Sequence, residues 1–402
     1  MCISLIYKLF HVKTRHLWCF VVMSCKTFKY SRLNNSFRGV LFMEFKEELG
    51  KYKKMVDDDL VKFFEEKYKE FSYQDPFIQE SFDLLKDYTL RGGKRFRAVG
   101  AIMGYRAFSG DLSDTKIVRP ANGLEFLQSS LLVHDDIMDL TKVRRNKPTA
   151  HEWVKSWYQN RFGDKGDAAK FGNDMAIVLG DIYNSFGIEC LQQANFPEDK
   201  KLAAINHYMR VYETVGKGQI LDIWFGERGM NSDQKTTEQE YWEMIYRKTT
   251  VYTLLGPLTM GAIYAGASED QIKQLGEYAV PAAQAFQMYD DILDMLSTEE
   301  KLGKPIGTDI REGKDTLLMI KTKELASPEQ WDSIKTIVGN RNASQEEVEV
   351  VIQVVKDCGA LDYVKNKMSE LVNESKEKLE AIEMEPSVKE FLRGFANYMM
   401  KE

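Results

Sequence analysis

Two short segments crowd carboxylates at helical spacing. One, SSLLVHDDIMDL, places Asp135, Asp136 and Asp139 together, and the other, FQMYDDILDML, does the same with Asp290, Asp291 and Asp294. On a helix, positions i and i+4 share a face and i+1 is turned by about 100°. Each segment therefore projects two or three carboxylates from one patch, behind an apolar run suited to burial. Carboxylates held that close repel one another unless cations neutralise them. An all-oxygen ligand set suits Mg²⁺, which keeps coordination positions for water and phosphate oxygens. Two such patches facing each other describe a cage for a diphosphate bridged by several Mg²⁺ ions. A single DDxxD in an acidic helical protein is more often a solvated face. The pair, each followed by basic residues, favours the cage.

Those basic residues follow a pattern. After Asp139 comes LTKVRRNKPTAH, with Arg144 and Arg145; after Asp294 comes GKPIGTDIREGKDT, with Lys304 and Lys314. A third segment, LRGGKRFRA, sets Gly92 and Gly93 before Lys94, Arg95 and Arg97. Glycines let backbone approach an anion closely, and guanidinium forks and ammonium groups grip phosphate oxygens. Alone, this segment would read as a basic loop at a helix terminus. The net charge of −6 makes such residues informative. Residues 1–43 hold seven basic residues and no acid, leaving 48 of the 55 basic residues against all 61 acidic ones. So acidic a body is a poor general binder of nucleic acid. Its local cations serve a specific anion.

At this point a family resemblance is specific. GGKRFR, HDDIMD with RRNKPTAH, FGNDMAIVLGD, GQILD, RKTT, FQMYDDILD and GKPIGTDIREGKDTLL occur in the order found in trans-isoprenyl diphosphate synthases, the polyprenyl synthetase family. The likeness runs from Phe45 to the C-terminus. It implies an all-α, single-domain bundle around a deep central cavity, assembled as a homodimer. It also implies Mg²⁺-dependent, head-to-tail joining of isopentenyl diphosphate to an allylic diphosphate (dimethylallyl, geranyl or farnesyl), with about three Mg²⁺ ions per site.

By position, Asp135, Asp136, Asp139, Asp290, Asp291 and Asp294 resemble the family's metal ligands. Asp135, Asp136, Asp290, Asp291 and Lys248 carry its catalytic roles. Lys94, Arg97, Gln128 and Arg145 match the isopentenyl diphosphate site. Arg144, Lys248, Thr249, Gln287, Lys304 and Lys314 match the allylic diphosphate site. Product length is expected to be set below Asp135, where relatives that stop at fifteen carbons often carry aromatic residues four or five positions back. Ser130 and Leu131 stand there, with Leu127 about one turn deeper. An opening on the Ser130 side implies geranylgeranyl diphosphate (C20), with farnesyl diphosphate (C15) or a longer chain as the alternative.

Two rivals use the same residue types. A class I terpene cyclase also ionises an allylic diphosphate, but its second metal site mixes Asn, Ser and Glu, whereas this one reads DDILD. A non-catalytic regulatory subunit tends to lose aspartates from one motif, and both are complete here. The five Cys form no CxxC, and the five His show no HExxH or H-x-E spacing, which speaks against a zinc hydrolase.

The elements that must position these residues read as helix after helix. Thr237 with Glu240, Ser268 with Gln271, and Ser344 with Glu347 are capping boxes, and Ser327 precedes Pro328 as an N-cap with proline at the first helical position. No Asn-Gly hairpin separates two alternating runs, so strands are not expected. Residues 43–402 form the expected synthase domain. Residues 1–42 differ in composition and read as a mitochondrial presequence, translated sequence upstream of Met43, or a genuine extension. The apolar maximum, Leu17 to Met23, is too short to span a bilayer. A cytoplasmic location is expected, or a mitochondrial one if 1–42 is a presequence.

Overall fold

A computed structural model describes residues 30–71, 75–231, 235–298 and 306–400. Contacts divide the chain into two compact units, Met1–Glu44 and Phe45–Glu402. Helix α1 runs Tyr30–Phe71. It begins before residue 43. No proline interrupts residues 30–71, and a helix once nucleated extends at one hydrogen bond per residue.

The second unit is all-α. Next come α2 (Pro76–Leu90), α3 (Phe96–Ser109), α4 (Val118–Met138), α5 (Ala150–Phe162), α6 (Ala168–Gln192) and α7 (Glu198–Asn231). Then follow α8 (Glu238–Ile245), a π-helical segment (Tyr246–Leu255), α9 (Gly256–Ala265) and α10 (Glu269–Leu296). The chain closes with α11 (Thr308–Glu312), α12 (Leu317–Leu325), α13 (Pro328–Ile334), α14 (Gln345–Asp357), α15 (Ala360–Ala381) and α16 (Pro386–Tyr398). Among the described residues no helix is long and apolar enough to cross a membrane.

The expected caps are present. Thr237, Ser268 and Ser344 each accept from the N3 backbone amide while Glu240, Gln271 and Glu347 return a bond to the cap, and Ser327 makes the same box with Gln330. One short ribbon was not expected: β1 (Val143–Arg144) pairs antiparallel with β2 (Lys147–Pro148). The turn residues Arg145 and Asn146 both have positive φ, 54° and 59°. That is the type I′ geometry that two-residue hairpins favour. Arg-Asn in place of Asn-Gly hid it.

Pairwise packing builds the bundle: α4 lies along α6, α3 along α9, α10 along α15, and the π segment sits between α7 and α10. Aromatic side chains fill one end of the core, where Phe63, Phe64, Phe126 and Phe186 pack with ring centroids 4.7–6.4 Å apart. Such contacts add to the hydrophobic gain of burial. The acidic ends of α4 and α10 project from largely buried stems.

The caps give a direct test. Ser344→Ala should lower stability by about 1 kcal/mol, and Ser344→Gly by only a few tenths. Urea melts followed by circular dichroism should show a shifted midpoint with an unchanged slope; equal losses for both variants would contradict the cap assignment.

Candidate active site

The two acidic motifs end two of the helices just described, and cations already stand among their carboxylates. Asp136 is fully buried and accepts from Tyr88 Oη at 2.8 Å and from Arg144 Nε at 2.8 Å. One turn is the reason: at i+1 it points away from the Asp135–Asp139 face, toward β1. Both its oxygens are engaged, so the structure places this expected metal ligand as an anchor for Arg144. Burial raises its pKa, and Arg144 and Tyr88 only partly offset that.

Asp135 and Asp139 share the other face. Lys314 Nζ lies 2.9 Å from Asp139, and Arg341 donates to the Asp139 backbone carbonyl. Lys248 Nζ stands 3.7 Å from Asp135 and bonds closely to Asp222. Burial would raise the Asp135 pKa, but Lys248, Lys314 and Arg144 outweigh it and lower it overall. Lys248 and Lys314 show the converse: burial opposes their charge, yet the surrounding aspartates raise both pKa values.

Across the site, α10 presents an exposed Asp290 and a buried Asp291 and Asp294. Gln287 donates to Asp291 at 2.6 Å, and Asp294 accepts the Asp309 backbone amide at 3.1 Å. Burial first, then the Asp309 charge, push the Asp291 pKa well up. Lys304 lies outside the described residues.

The π segment supplies Lys248, Thr249 and Tyr252. Pro257 cannot donate to the carbonyl four residues back, and the wide turn ahead of it avoids that clash. Gly218 on α7 lets the segment approach: a Cβ there would stand 2.3 Å from the Lys248 backbone nitrogen. Two cavities meet at this point. A polar one of about 180 Å³ is lined by Asp135, Asp222, Lys248, Thr249, Gln287, Asp291, Asp309 and Lys314, among others. A more apolar one of about 330 Å³ runs along α4 and α7, past Leu131, Leu132, Met138, Tyr212 and Val215. Asp135, Lys248 and Tyr252 line both.

A third cluster gathers round the glycine loop. Gly93 has φ +118°, and a Cβ there would stand 3.0 Å from Arg145 Nη2. Arg97 stacks 4.1 Å over the Tyr252 ring and donates to Thr253. Lys94 Nζ lies 4.9 Å from the Tyr398 ring and 5.6 Å from that of Phe96. Gln128 is half-buried on α4.

Two expectations need correcting. Arg95 does not join the phosphate-facing cations. It is buried, with Nε on Asp57 at 2.8 Å, Nη1 on Glu125 at 3.3 Å and Nη2 on the Thr89 carbonyl at 2.8 Å. Ser130 is not in the cavity wall either. It lies seven residues after Gly123, on the α4 face that packs against Gly187 and Leu191 of α6, and is fully buried. Leu127 is likewise core, whereas Leu131 lines the cavity. Asp222, Gln219, Tyr252 and Asp309 were missed, although GQILD and GTDIREGKDT carry three of them.

The carboxylates of Asp135, Asp222, Asp291 and Asp309 line the polar cavity, and Asp135 Oδ1 is buried there with no hydrogen bond. Such donors fit Mg²⁺. Among the described residues, however, no three acids converge on a single ion position. Lys248 and Lys314 stand against the first motif instead, at Asp135 and Asp139.

A family model described as polyprenyl synthetase matches residues 79–355. The chain belongs to the polyprenyl synthetase family. It is 34% identical to a geranylgeranyl diphosphate synthase of Methanosarcina mazei over 310 residues, covering 77% of this chain and 86% of that one. It is 33% identical to the Sulfolobus acidocaldarius geranylgeranyl diphosphate synthase, over 68% of this chain and 76% of the relative. The crystal structure of a geranylgeranyl pyrophosphate synthase from Corynebacterium glutamicum, complexed with isoprenyl diphosphate and magnesium, superposes with a TM-score of 0.82 at 29% identity. It covers 88% of this chain and 99% of that one.

Within this polyprenyl synthetase fold, Arg95 should act on stability rather than on substrate. Arg95→Met strands Glu125, which is itself buried and also holds the Ala98 amide, and should cost about 3–5 kcal/mol. A calorimetric melt within a degree of the parent would overturn this.

Proposed function

We propose that the chain is a Mg²⁺-dependent isoprenyl diphosphate synthase. It joins isopentenyl diphosphate head to tail to an allylic diphosphate, with geranylgeranyl diphosphate (C20) as its main product. One observation carries the reading: a polar cavity walled by Asp135, Lys248 and Lys314 continues into an apolar channel along α4. That is the shape of a diphosphate joined to a hydrocarbon tail. Polyprenyl synthetase membership and the C20 synthases among its relatives support it.

The chain's own groups then have assigned work. Asp135 and Asp139 from α4, with Asp290 and Asp291 from α10, would hold the metal. When bound, Mg²⁺ supplies charge that stabilises the departing diphosphate. Lys248, Lys314 and Arg144 neutralise the same developing charge, Arg144 being oriented by Asp136. Leu131, Leu132 and Val215 keep water from the allylic cation. Arg97, Lys94, Arg145 and Gln128 hold isopentenyl diphosphate beside the glycine loop. Tyr252 lies under Arg97 and lines both cavities, so the two partners are held side by side and orientation provides much of the rate. The released diphosphate takes the final proton.

The enzyme is further proposed to be a homodimer. Leu202, Met209, Ile220, Ile223 and Trp224 recur at helical spacing on α7, with Ile220 68% and Trp224 58% exposed, and Ile177 and Val178 of α6 add to them. An exposed apolar stripe of this kind, here interrupted by the Glu213–Lys217 ion pair, marks an interface, and a two-fold axis lets one such stripe cover itself.

Incubation with radiolabelled isopentenyl diphosphate and an allylic primer tests the reaction. Asp135→Ala and Asp290→Ala should each lower turnover by about two orders of magnitude or more with melting temperature kept, because they remove charge stabilisation made only in the transition state. Near-normal Mg²⁺-dependent turnover in either would sink the metal assignment.

Product length gives a separate test. Leu131→Phe should shorten the main product toward C15 by filling the channel. Ser130→Phe overpacks the α4–α6 contact and should destabilise by about 1–3 kcal/mol. Chromatography of dephosphorylated products decides it: a C20 product unmoved by Leu131→Phe but shortened by a stable Ser130→Phe would reverse the assignment.

A further inference from the structure

Tyr241 on α8 is fully buried, and its hydroxyl makes no hydrogen bond. Its ring lines the polar cavity together with Asp291, Asp309 and Gln287. A buried hydroxyl without a partner is costly, and a phenylalanine of the same shape would escape that cost. The start of its helix is held in place. The Thr237–Glu240 capping box opens α8, and Arg228 grips Glu240 through both terminal nitrogens at 2.8 and 2.9 Å. Glu238 is held by Lys321 at 2.6 Å and by Tyr363 and Trp242. The first turn of α8, just ahead of Tyr241, is therefore fastened through Glu238 and Glu240. Burial, together with the negative charges of Asp291 and Asp309, keeps the phenol protonated and so a donor.

We infer that Tyr241 is a positioning residue whose hydroxyl donates to an oxygen of the Mg²⁺–diphosphate group taken up by the cavity. This rests on the reading of that cavity given above. The hydroxyl is unpaired because its acceptor arrives with the ligand, and the clamps on α8 hold it ready, so that little reorganisation accompanies binding.

The test is binding, not turnover. Titration calorimetry of the full chain with inorganic pyrophosphate, at fixed Mg²⁺, compares the parent with Tyr241→Phe, and a thermal melt without either ligand accompanies it. The expected result is about ten- to hundredfold weaker pyrophosphate binding in the variant, with an equal or higher melting temperature in the ligand-free melt. Unchanged affinity would overturn the proposal. Weaker binding accompanied by a lower melting temperature would do so too, because it would mean that the hydroxyl supports the fold. Absence of Mg²⁺-dependent pyrophosphate binding by the parent itself would instead remove the reading of the cavity, and this proposal with it.

Discussion

Everything in the second unit turns on keeping carboxylates crowded in a partly buried cleft. In low dielectric their mutual repulsion is several times stronger than in water. The chain sets its own cations among them. Lys314 takes Asp139, Lys248 stands between Asp135 and Asp222, and Arg144 takes Asp136. The first motif is thus matched by the chain's own cations, whereas burial and the Asp309 charge push the Asp291 pKa up in the second. A diphosphate with its metal ions can replace these pairings at modest net change in charge. The exchange is between equals, which suits a site that must bind and release an anion in every cycle.

That arrangement places demands on the scaffold. Lys248 reaches Asp135 only because the π segment widens there and Gly218 leaves room for its backbone beside α7. Arg145 reaches the glycine loop only because its hairpin turn takes positive φ at two successive residues. The loop itself is fixed by Arg95, whose three bonds tie it to α1, α2 and α4. Irregular backbone occurs where a cation must meet a fixed acid or anion, and the regular helices carry the rest.

This division explains what could be read beforehand. Capping boxes at Thr237, Ser268 and Ser344 are local, so the helices they begin were legible from four-residue patterns. The aspartate motifs were legible because i,i+4 spacing alone assigns a face, and the same rule turns Asp136 inward. Arg95 was not, since nothing in GGKRFR distinguishes the cation that turns inward from those that do not. The deciding partners, Asp57 and Glu125, are 38 and 30 residues away. Ser130 failed for a similar reason: register down from Asp135 gives depth, but which face meets the cavity depends on where α6 packs. The π segment gave only Pro257 as a sign, and a proline after a helical run is read more readily as a stop.

α7 carries site residues on one face and an exposed apolar stripe on another. Gln219 and Asp222 face the cavities, while Ile220, Ile223 and Trp224, from the same two turns, point outward and are exposed. A helix cannot rotate to improve one face without moving the other by the same angle. Whatever covers the outer stripe therefore bears directly on the turn that holds Asp222 against Lys248, and through Lys248 on Asp135. Because the apolar channel lies between α4 and this same helix, the width available to a growing hydrocarbon is also set by how firmly α7 is pressed inward. A surface well outside the polar cavity thus constrains both the charge balance of the site and the space for its product.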